Sequence, residues 1–79
     1  MDVMQELITF LSKSLVDKPE AVEVTPIESD RTIVYELLVD RTDLGKVIGK
    51  DGRTARAIRT LLAATSAKQG KRSVLEILE

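Results

Sequence analysis

Two glycines three positions apart, Gly49 and Gly52, interrupt a stretch whose apolar spacing otherwise predicts helix. Glycine adopts backbone dihedrals that other residues disfavour, so the pair lets the chain turn sharply between two helices. Missing side chains also allow another backbone to come close to the loop. This connection constrains the fold more than any other feature, because it places a short loop of bare main chain between two packed helices.

The segment before position 18 predicts an amphipathic helix. Asp2 is placed to cap it, and Gln5 completes a capping-box pattern three residues later. Pro19 and the residue before it disfavour helix and end it. Phe10 lies in this helix and is expected to be packed rather than exposed. The apolar stripe has the 3-4-4 spacing of one helical face and consists of Met4, Leu7, Ile8, Leu11 and Leu15.

A hairpin is predicted next. Residues 22–28 alternate between apolar and polar side chains, and residues 32–39 are rich in β-branched and aromatic ones. The turn is Ser29-Asp30-Arg31. Pro26 lacks an amide hydrogen, which predicts an edge position or a bulge in the first strand.

Two helices and a strand complete the chain. Thr42 or Asp43 is expected to cap a very short helix, and a longer helix is predicted over about 53–67. Gly70 suits the position just after its end, and residues 73–78 predict a last strand. The element order is therefore α-β-β-α-α-β, an α+β fold in one domain of residues 1–79. The inward side of the longer helix is predicted to carry Ala55, Ile58, Leu61, Leu62 and Thr65.

The composition excludes several classes of function. The chain has no cysteine and no histidine, which removes disulfides, thiol metal sites and the commonest general base. Serine and threonine have no base to activate them, so an enzyme is poorly supported. We predict no cofactor, no metal and no small-molecule substrate. Neither a signal peptide nor a membrane span is indicated, and a cytoplasmic protein is expected.

Charge is distributed unevenly along the chain. Residues 41–72 contain nine basic and two acidic residues, a net charge of +7, whereas the remainder contains three basic and eleven acidic ones, or −8. The basic part coincides with the glycine pair. A domain of this kind can present one face to phosphate while its net charge stays near zero.

The glycine loop has the properties of an anion site. Free amides in the loop and at the start of the next helix act together with the helix dipole. Lys46 and Lys50 lie before and within the loop, and Arg53 and Arg56 follow it, so each can add a phosphate contact that depends on salt. Asp51 is expected to cap the following helix.

The stretch V-I-G-K-D-G-R-T-A-R-A-I, residues 47–58, resembles the V-I-G-x-x-G-x-x-I signature of the KH domain. The element order is that of the bacterial type II form, a three-stranded sheet packed on one face by three helices. The likeness covers the whole chain and is greatest to the small bacterial single-KH proteins of the KhpA (YlqC-like) family. It implies single-stranded RNA binding in the cytoplasm, RNA-chaperone activity, and self-association or pairing with a larger KhpB-type partner linked to cell-wall synthesis and cell shape.

The resemblance also assigns residues to roles. Gly49 to Gly52 form a clamp on the RNA backbone. Ala55 departs from the signature, where isoleucine is usual, which predicts a shallower groove wall. The RNA-binding set is Lys46, Val47, Ile48, Gly49, Lys50, Asp51, Gly52, Arg53 and Arg56, and possible groove or peripheral residues are Leu44, Arg41 and Arg59.

Bases are expected to lie in an aliphatic groove between the short helix and the second strand. Phe10 and Tyr35 are the two aromatic residues, too few for a stacking platform on the sheet, and Tyr35 is expected in the core. The polar side of the sheet carries Glu23, Glu36 and Glu76, which repel phosphate. The candidate groove residues are Leu44, Val47, Ile48 and Ile58, all of which also suit the core, and for Ile48 and Ile58 the core is the favoured position.

Two other binding functions stay open on the sequence alone. The same fold could mainly dock another KH protein through the apolar flank of the longer helix, as a dimerisation domain with little RNA binding of its own. Dimerisation would also strengthen weak RNA binding by raising effective concentration. A helix-turn-helix DNA binder is conceivable, but the short first helix and the flanking strands fit it poorly.

Overall fold

A computed structural model describes the backbone of residues 2–79 and, within that range, every side chain except those of Ala67 and Gln69. The predicted order α-β-β-α-α-β is confirmed. The helices and strands are α1 (Val3–Leu15), β1 (Glu23–Glu28), β2 (Thr32–Leu38), α2 (Leu44–Ile48), α3 (Arg53–Gln69) and β3 (Arg72–Ile77).

The three strands form one sheet in the order β1-β2-β3, with β2 in the centre. β1 pairs antiparallel to β2 through the turn at residues 29–31, where the Ser29 amide donates to the Thr32 carbonyl at 2.8 Å. β3 lies parallel to β2, so the chain must cross over between them, and α2 and α3 form that crossover. Pro26 lies in the edge strand β1, as predicted.

The helices cover one face of this sheet. Alternate residues of β2, namely Ile33, Tyr35 and Leu37, are buried because their side chains point toward the helices. They pack with Met4 and Ile8 of α1. The remaining buried apolar residues of this core are Val22, Val39, Val47, Ile58, Leu62 and Leu75. No helix within residues 2–79 is long and apolar enough to cross a bilayer.

α1 begins at the predicted cap, where an Asp2 oxygen accepts a hydrogen bond of 2.7 Å from the Gln5 amide. The second half of the capping box is wrong, since the Gln5 side chain donates instead to the Val24 carbonyl of β1 at 3.0 Å. Both Asp2 oxygens also accept from the Tyr35 hydroxyl at 3.1 Å. Burial, together with that hydrogen bond, raises the pKa of Tyr35 to about 12. One carboxylate therefore joins the start of α1 to the central strand.

Three apolar side chains of α1 and α3 for which the sequence predicts packing are exposed. Phe10 is 67% exposed on α1, and Leu61 is 46% exposed on α3, so the prediction that they are packed is wrong. Leu15, at the end of the α1 stripe, is 41% exposed. Helical spacing indicated which residues share a face of a helix. The apolar face of each helix is wider than the area that packs against the core, so residues at its margin are exposed. Gly70 follows α3 in the left-handed conformation, as predicted, with φ at 72°.

The start of α2 is tied to the α1–β1 connection. Asp43 is buried, and its carboxylate accepts hydrogen bonds from the amides of Asp17 at 3.2 Å and Lys18 at 3.0 Å. Lys46 Nζ lies 3.3 Å from the same carboxylate. Neither Asp43 nor Thr42 caps α2 with its side chain, so that prediction is wrong. The Asp43 carboxylate thus accepts from amides of a segment distant in the sequence, whereas the sequence predicted that it would cap α2.

The ionisation of Asp43 is expected to make stability depend on pH. Burial alone would raise the pKa of Asp43, but the amide hydrogen bonds and Lys46 outweigh it and hold the pKa below its usual value. A lowered pKa stabilises the fold above the ordinary carboxyl value of about 4, and this stabilisation is lost as pH falls through the lowered value. Asp43→Asn should melt at a lower temperature than the wild type at pH 7, with a difference that narrows below about pH 4. Thermal melts from about pH 3 to about pH 7, a range that spans the carboxyl pKa, measure this difference in melting temperature. A difference that is constant with pH would contradict the assignment.

Ser12 provides a test of packing in α1. Its hydroxyl is buried and has no hydrogen-bond partner among residues 2–79. Removing an unsatisfied buried group and placing alanine in a helix both favour the folded state, so Ser12→Ala should raise the free energy of unfolding by about 1 kcal/mol. Urea denaturation measures it. Ser14→Ala is the matched control, because Ser14 is exposed on the same helix, and it should change stability by less than about 0.5 kcal/mol. A destabilised Ser12→Ala would show that the hydroxyl is needed.

Candidate nucleic-acid interface

The glycine loop reverses the chain between α2 and α3 through positive φ angles at three of its four residues. α2 ends where the Gly49 amide donates to the Gly45 carbonyl at 2.9 Å. Gly49 has φ 79° and ψ 169°, Asp51 has φ 58°, and Gly52 has φ 75°. Glycine reaches such angles without strain, and aspartate is among the few other residues that tolerate the left-handed region. The loop therefore has one geometry, set by three residues.

The two glycines are required for different reasons. A Cβ built on Gly49 would lie 2.3 Å from Thr54 Oγ1 and 2.8 Å from the Thr54 amide nitrogen. The first turn of α3 thus packs directly on the Gly49 backbone. A Cβ on Gly52 would meet nothing within 4 Å, so at that position only the positive φ favours glycine. The close contact at Gly49 holds the loop against α3, while the backbone around Gly52 stays open.

Two amides in the loop have no partner within their own helical turn. The Gly52 amide donates to the Gly49 carbonyl at 3.1 Å and the Arg53 amide to the Lys50 carbonyl, whereas the amides of Lys50 and Asp51 begin the turn and, like the first amides of any helix, have no acceptor inside it. Both residues are exposed. The Asp51 carboxylate does not cap α3, contrary to the prediction, because Gly52 precedes the helix and no side chain caps it. The free amides lie at the positive end of the α3 dipole, which favours an anion there.

Exposed cations surround these amides. Lys50 lies in the loop, and Arg53 and Arg56 follow in the first turns of α3, all exposed. Arg56 Nη2 donates to the Asp51 carbonyl at 3.3 Å, which keeps that guanidinium beside the loop. Arg59 lies one turn further along α3 and is also exposed.

Lys46 differs from the other cations near the loop. Its ammonium group pairs with Asp17 and Asp43, across to the α1–β1 connection. The hydrogen bond with Asp17, together with that to Asp43, raises the pKa of Lys46. Its charge is thus already compensated within the protein. The predicted phosphate contact of Lys46 would have to compete with these carboxylates.

A groove adjoins the loop, but on a different strand from the one predicted. It lies between the glycine loop with α3 on one side and β3 on the other, whereas the sequence placed it against the second strand. β3 occupies this position because it joins the sheet beside β2 on the edge next to α3. The lining residues are Ile48, Gly52, Ala55, Arg59, Leu75, Glu76, Ile77 and Glu79.

Several predicted groove residues lie elsewhere. Val47 is 0% exposed and Ile58 is also buried, so both side chains belong to the core and neither lines this groove. Leu44 and Arg41 line a separate hollow beside the end of β2, with no part in the groove next to the loop. Ala55 is buried and lines the groove between the helical and strand sides.

The outer edge of β3 forms the second wall of the groove. The amides of Arg72 and Leu78 donate to carbonyls on the β2 side, both at 2.9 Å. Successive residues of a strand alternate in the direction of their backbone groups, so the N–H and C=O groups of Leu75 and Ile77 face away from β2. Sequence reasoning missed these two residues. The right-handed crossover expected of a β-α-β connection could have indicated them.

Two carboxylates, those of Glu76 and Glu79, line the groove at the β3 edge. The register places Glu23, Glu36 and Glu76 on the face that no helix covers, as predicted. The sheet separates the glycine loop from Glu23 and Glu36, whereas Glu76 lies on the uncovered face of the edge strand β3 and also reaches the groove. Among the described residues, no cluster of three or more His, Cys, Asp or Glu side chains could hold a metal ion.

The fold is similar to a domain of a known structure. The crystal structure of Era from Aquifex aeolicus bound to GDP·AlF4⁻ superimposes with a TM-score of 0.64 over 95% of this chain, which spans 29% of that protein. Sequence identity is 21%, so this likeness concerns the fold alone.

Full-length relatives are much closer in sequence. The RNA-binding protein KhpA of Aquifex aeolicus is 53% identical over 79 residues and 100% of both chains. Those of Listeria monocytogenes and Chlamydia pneumoniae are 51% and 46% identical, over 96% of this chain and 100% and 97% of theirs. The family profile for the KH domain of KhpA and KhpB matches residues 5–77. This family contains KH domains of RNA-binding proteins rather than enzymes, in agreement with the prediction that the chain is not an enzyme. The chain belongs to the KhpA/KhpB KH-domain family.

Proposed function

We propose that this protein binds single-stranded RNA, with the backbone of Gly49–Gly52 as a clamp on the sugar-phosphate strand. The observation that carries the proposal is the exposed pair Lys50 and Asp51, whose amides begin the helical turn of the loop and so have no acceptor within it. They lie at the start of a 17-residue helix and among exposed cations. The relatives named RNA-binding proteins support the same ligand.

The groove next to the clamp suits unpaired bases. Ile48 and Ile77, both partly exposed, offer apolar contact to base faces, and the buried Ala55 and Leu75 form the floor between them. The outward N–H and C=O groups of β3 place a hydrogen-bond donor beside an acceptor. Base edges also carry neighbouring donors and acceptors, so the two can pair. The buried ring of Tyr35 is not available for stacking. One domain should therefore bind RNA weakly and with a strong dependence on salt.

Lys50→Asp tests the clamp without disturbing the fold. Lys50 is exposed, and its side chain forms no ion pair within residues 2–79, so the melting temperature should change little. Reversing its charge beside the free amides should weaken binding of a short single-stranded RNA about tenfold or more at low salt. Fluorescence anisotropy with a labelled oligonucleotide measures the affinity. Gly49 is a poorer choice, because any side chain there collides with Thr54 and would disturb the loop itself.

The matched control is Lys13→Asp, the same charge reversal at an exposed lysine of α1. It should leave the salt slope of binding unchanged, whereas Lys50→Asp should reduce that slope by about 0.7 for each lost phosphate contact. Equal losses of affinity in both variants would mean that net charge alone attracts RNA. Unchanged affinity in Lys50→Asp would contradict the clamp.

We also propose that the chain self-associates through an apolar groove between α1 and α3. Leu11 and Leu15 of α1 line it together with Ala57, Ile58 and Leu61 of α3. Leu15 and Leu61, which share this groove, are 41% and 46% exposed. Exposing the apolar surface of two neighbouring leucines to water is unfavourable. A second copy would bring the same apolar residues, and this face lacks the arginine row that would repel a copy of itself. Pairing with a KhpB-type protein is the other partner that the family name suggests.

Leu61→Asp tests this second function. We expect the wild type to sediment as a dimer at micromolar concentration and Leu61→Asp to weaken the dimer more than about tenfold, because a charge would be buried without a partner. Ala63→Asp is the control, since Ala63 is exposed on the same helix but does not line this groove. A wild type that stays a monomer would contradict the proposal. RNA binding retained by a monomeric Leu61→Asp would separate the two functions.

The remaining assignments rest on the family resemblance. RNA-chaperone activity, a link to cell-wall synthesis and cell shape, a place in the cytoplasm and the organisation as one domain all belong to this proposal. Crosslinking in cells, followed by sequencing of the attached RNA, would test the chaperone and regulatory parts directly.

A further inference from the structure

The face of the sheet opposite the helices carries a row of apolar side chains. Ile27, Val34 and Val74 are partners in the register of the three strands and therefore lie side by side. Ile27 is 49% exposed, and the two valines are partly exposed. All three helices pack on the other face, so nothing in the described chain covers this row. A sheet face of this kind is normally buried against another element.

Glutamates flank the apolar row. Glu36 and Glu76 are direct register partners on neighbouring strands, and Glu23 lies on the same face of β1. None of the three forms an ion pair within residues 2–79. Like charges directly opposite each other on adjacent strands are destabilising. The cation of this face, Arg72, lies two rows away, beyond Val74.

We propose that this face docks an amphipathic helix of another protein, with lysine or arginine beside its apolar residues. Basic side chains would neutralise the opposed carboxylates of Glu36 and Glu76, and apolar ones would cover Ile27, Val34 and Val74. The outer strands of a three-stranded sheet are about 10 Å apart, which matches the diameter of one helix. The face is too small for a large globular interface, so the complex should be weak and electrostatic.

The charges exclude two other occupants of the same face. RNA would bring phosphates against the glutamates, and these repel it. A second copy stacked sheet to sheet would bring three more glutamates into the same interface, which is unfavourable without counter-ions. The arginine row on α3 of a second copy has the right sign, but it would leave an open-ended chain of molecules rather than a closed assembly.

The proposal stands apart from RNA binding. The open face and the clamp lie on opposite sides of the sheet, so a docked helix should leave the loop accessible. Glu76 also lines the groove beside the clamp, but the loop itself is not part of the open face, so an RNA bound at Gly49–Gly52 should not displace the helix, and failure of one function does not imply failure of the other.

The probe is a synthetic peptide of roughly 18 residues, long enough to form helix, with a leucine stripe flanked by lysine and arginine. A second peptide has the same stripe but glutamate in place of each basic residue. In a titration of the full chain followed by NMR, the basic peptide should saturate and shift the amides of Ile27, Val34 and Val74. The acidic peptide should produce no saturable shift. Equal binding of both peptides, or shifts confined to α1 and α3, would overturn the proposal.

The double substitution E36Q/E76Q tests the carboxylates themselves. It should weaken the basic peptide about tenfold and make the remaining binding less sensitive to salt. It should also raise the melting temperature, because the repulsion between the two strands is removed. E6Q/E20Q is the matched control, with the same change in net charge at exposed positions outside the sheet, and should bind the peptide like the wild type. Unchanged peptide binding by E36Q/E76Q would reject the partner helix. Shifts of these amides that depend on protein concentration, without peptide, would also reject it, in favour of a second copy of the chain.

Discussion

The carboxylate of Asp43 can lie inside this protein only because hydrogen bonds replace the water that it loses there. Two of them come from amides of the α1–β1 connection, and Lys46 supplies the third contact. α2 has five residues and could not hold a fixed position by its own helical hydrogen bonds. Asp43 anchors its first turn, and the contact of Gly49 with Thr54 anchors its end. The loop that carries the free amides is thus held between two fixed points, and an ordered loop has less conformational entropy to lose when it binds.

The sheet separates two surfaces of opposite chemistry. On the helical side, exposed cations surround bare backbone, and a groove runs beside them. On the other side, glutamates flank an apolar row. This arrangement explains how a chain with net charge −1 can offer a site for a polyanion. It also explains why Lys46, although it is close to the loop in sequence, has its charge compensated by carboxylates and belongs with the structural contacts.

Local features of the sequence predicted the element order, the hairpin, the glycine loop and Gly70, because each depends on residues close together in the chain. Features that depend on distant partners were missed. The partners of Asp43 are separated from it by 25 and 26 positions, so its apparent role as a cap was wrong. Helical periodicity placed Leu61 on an apolar face but could not show that no element covers it. The strand beside the loop was misassigned because the position of β3 follows from the crossover and not from any nearby motif.

The parallel pairing of β2 with β3 affects the order in which the two walls of the groove can form during folding. The glycine loop and its flanking helices depend on residues close together in the chain. The second wall requires Arg72–Ile77 to insert beside the central strand across the whole crossover. Pairing between segments so far apart in the chain is among the slower steps of folding, so the loop can form before the groove beside it is complete.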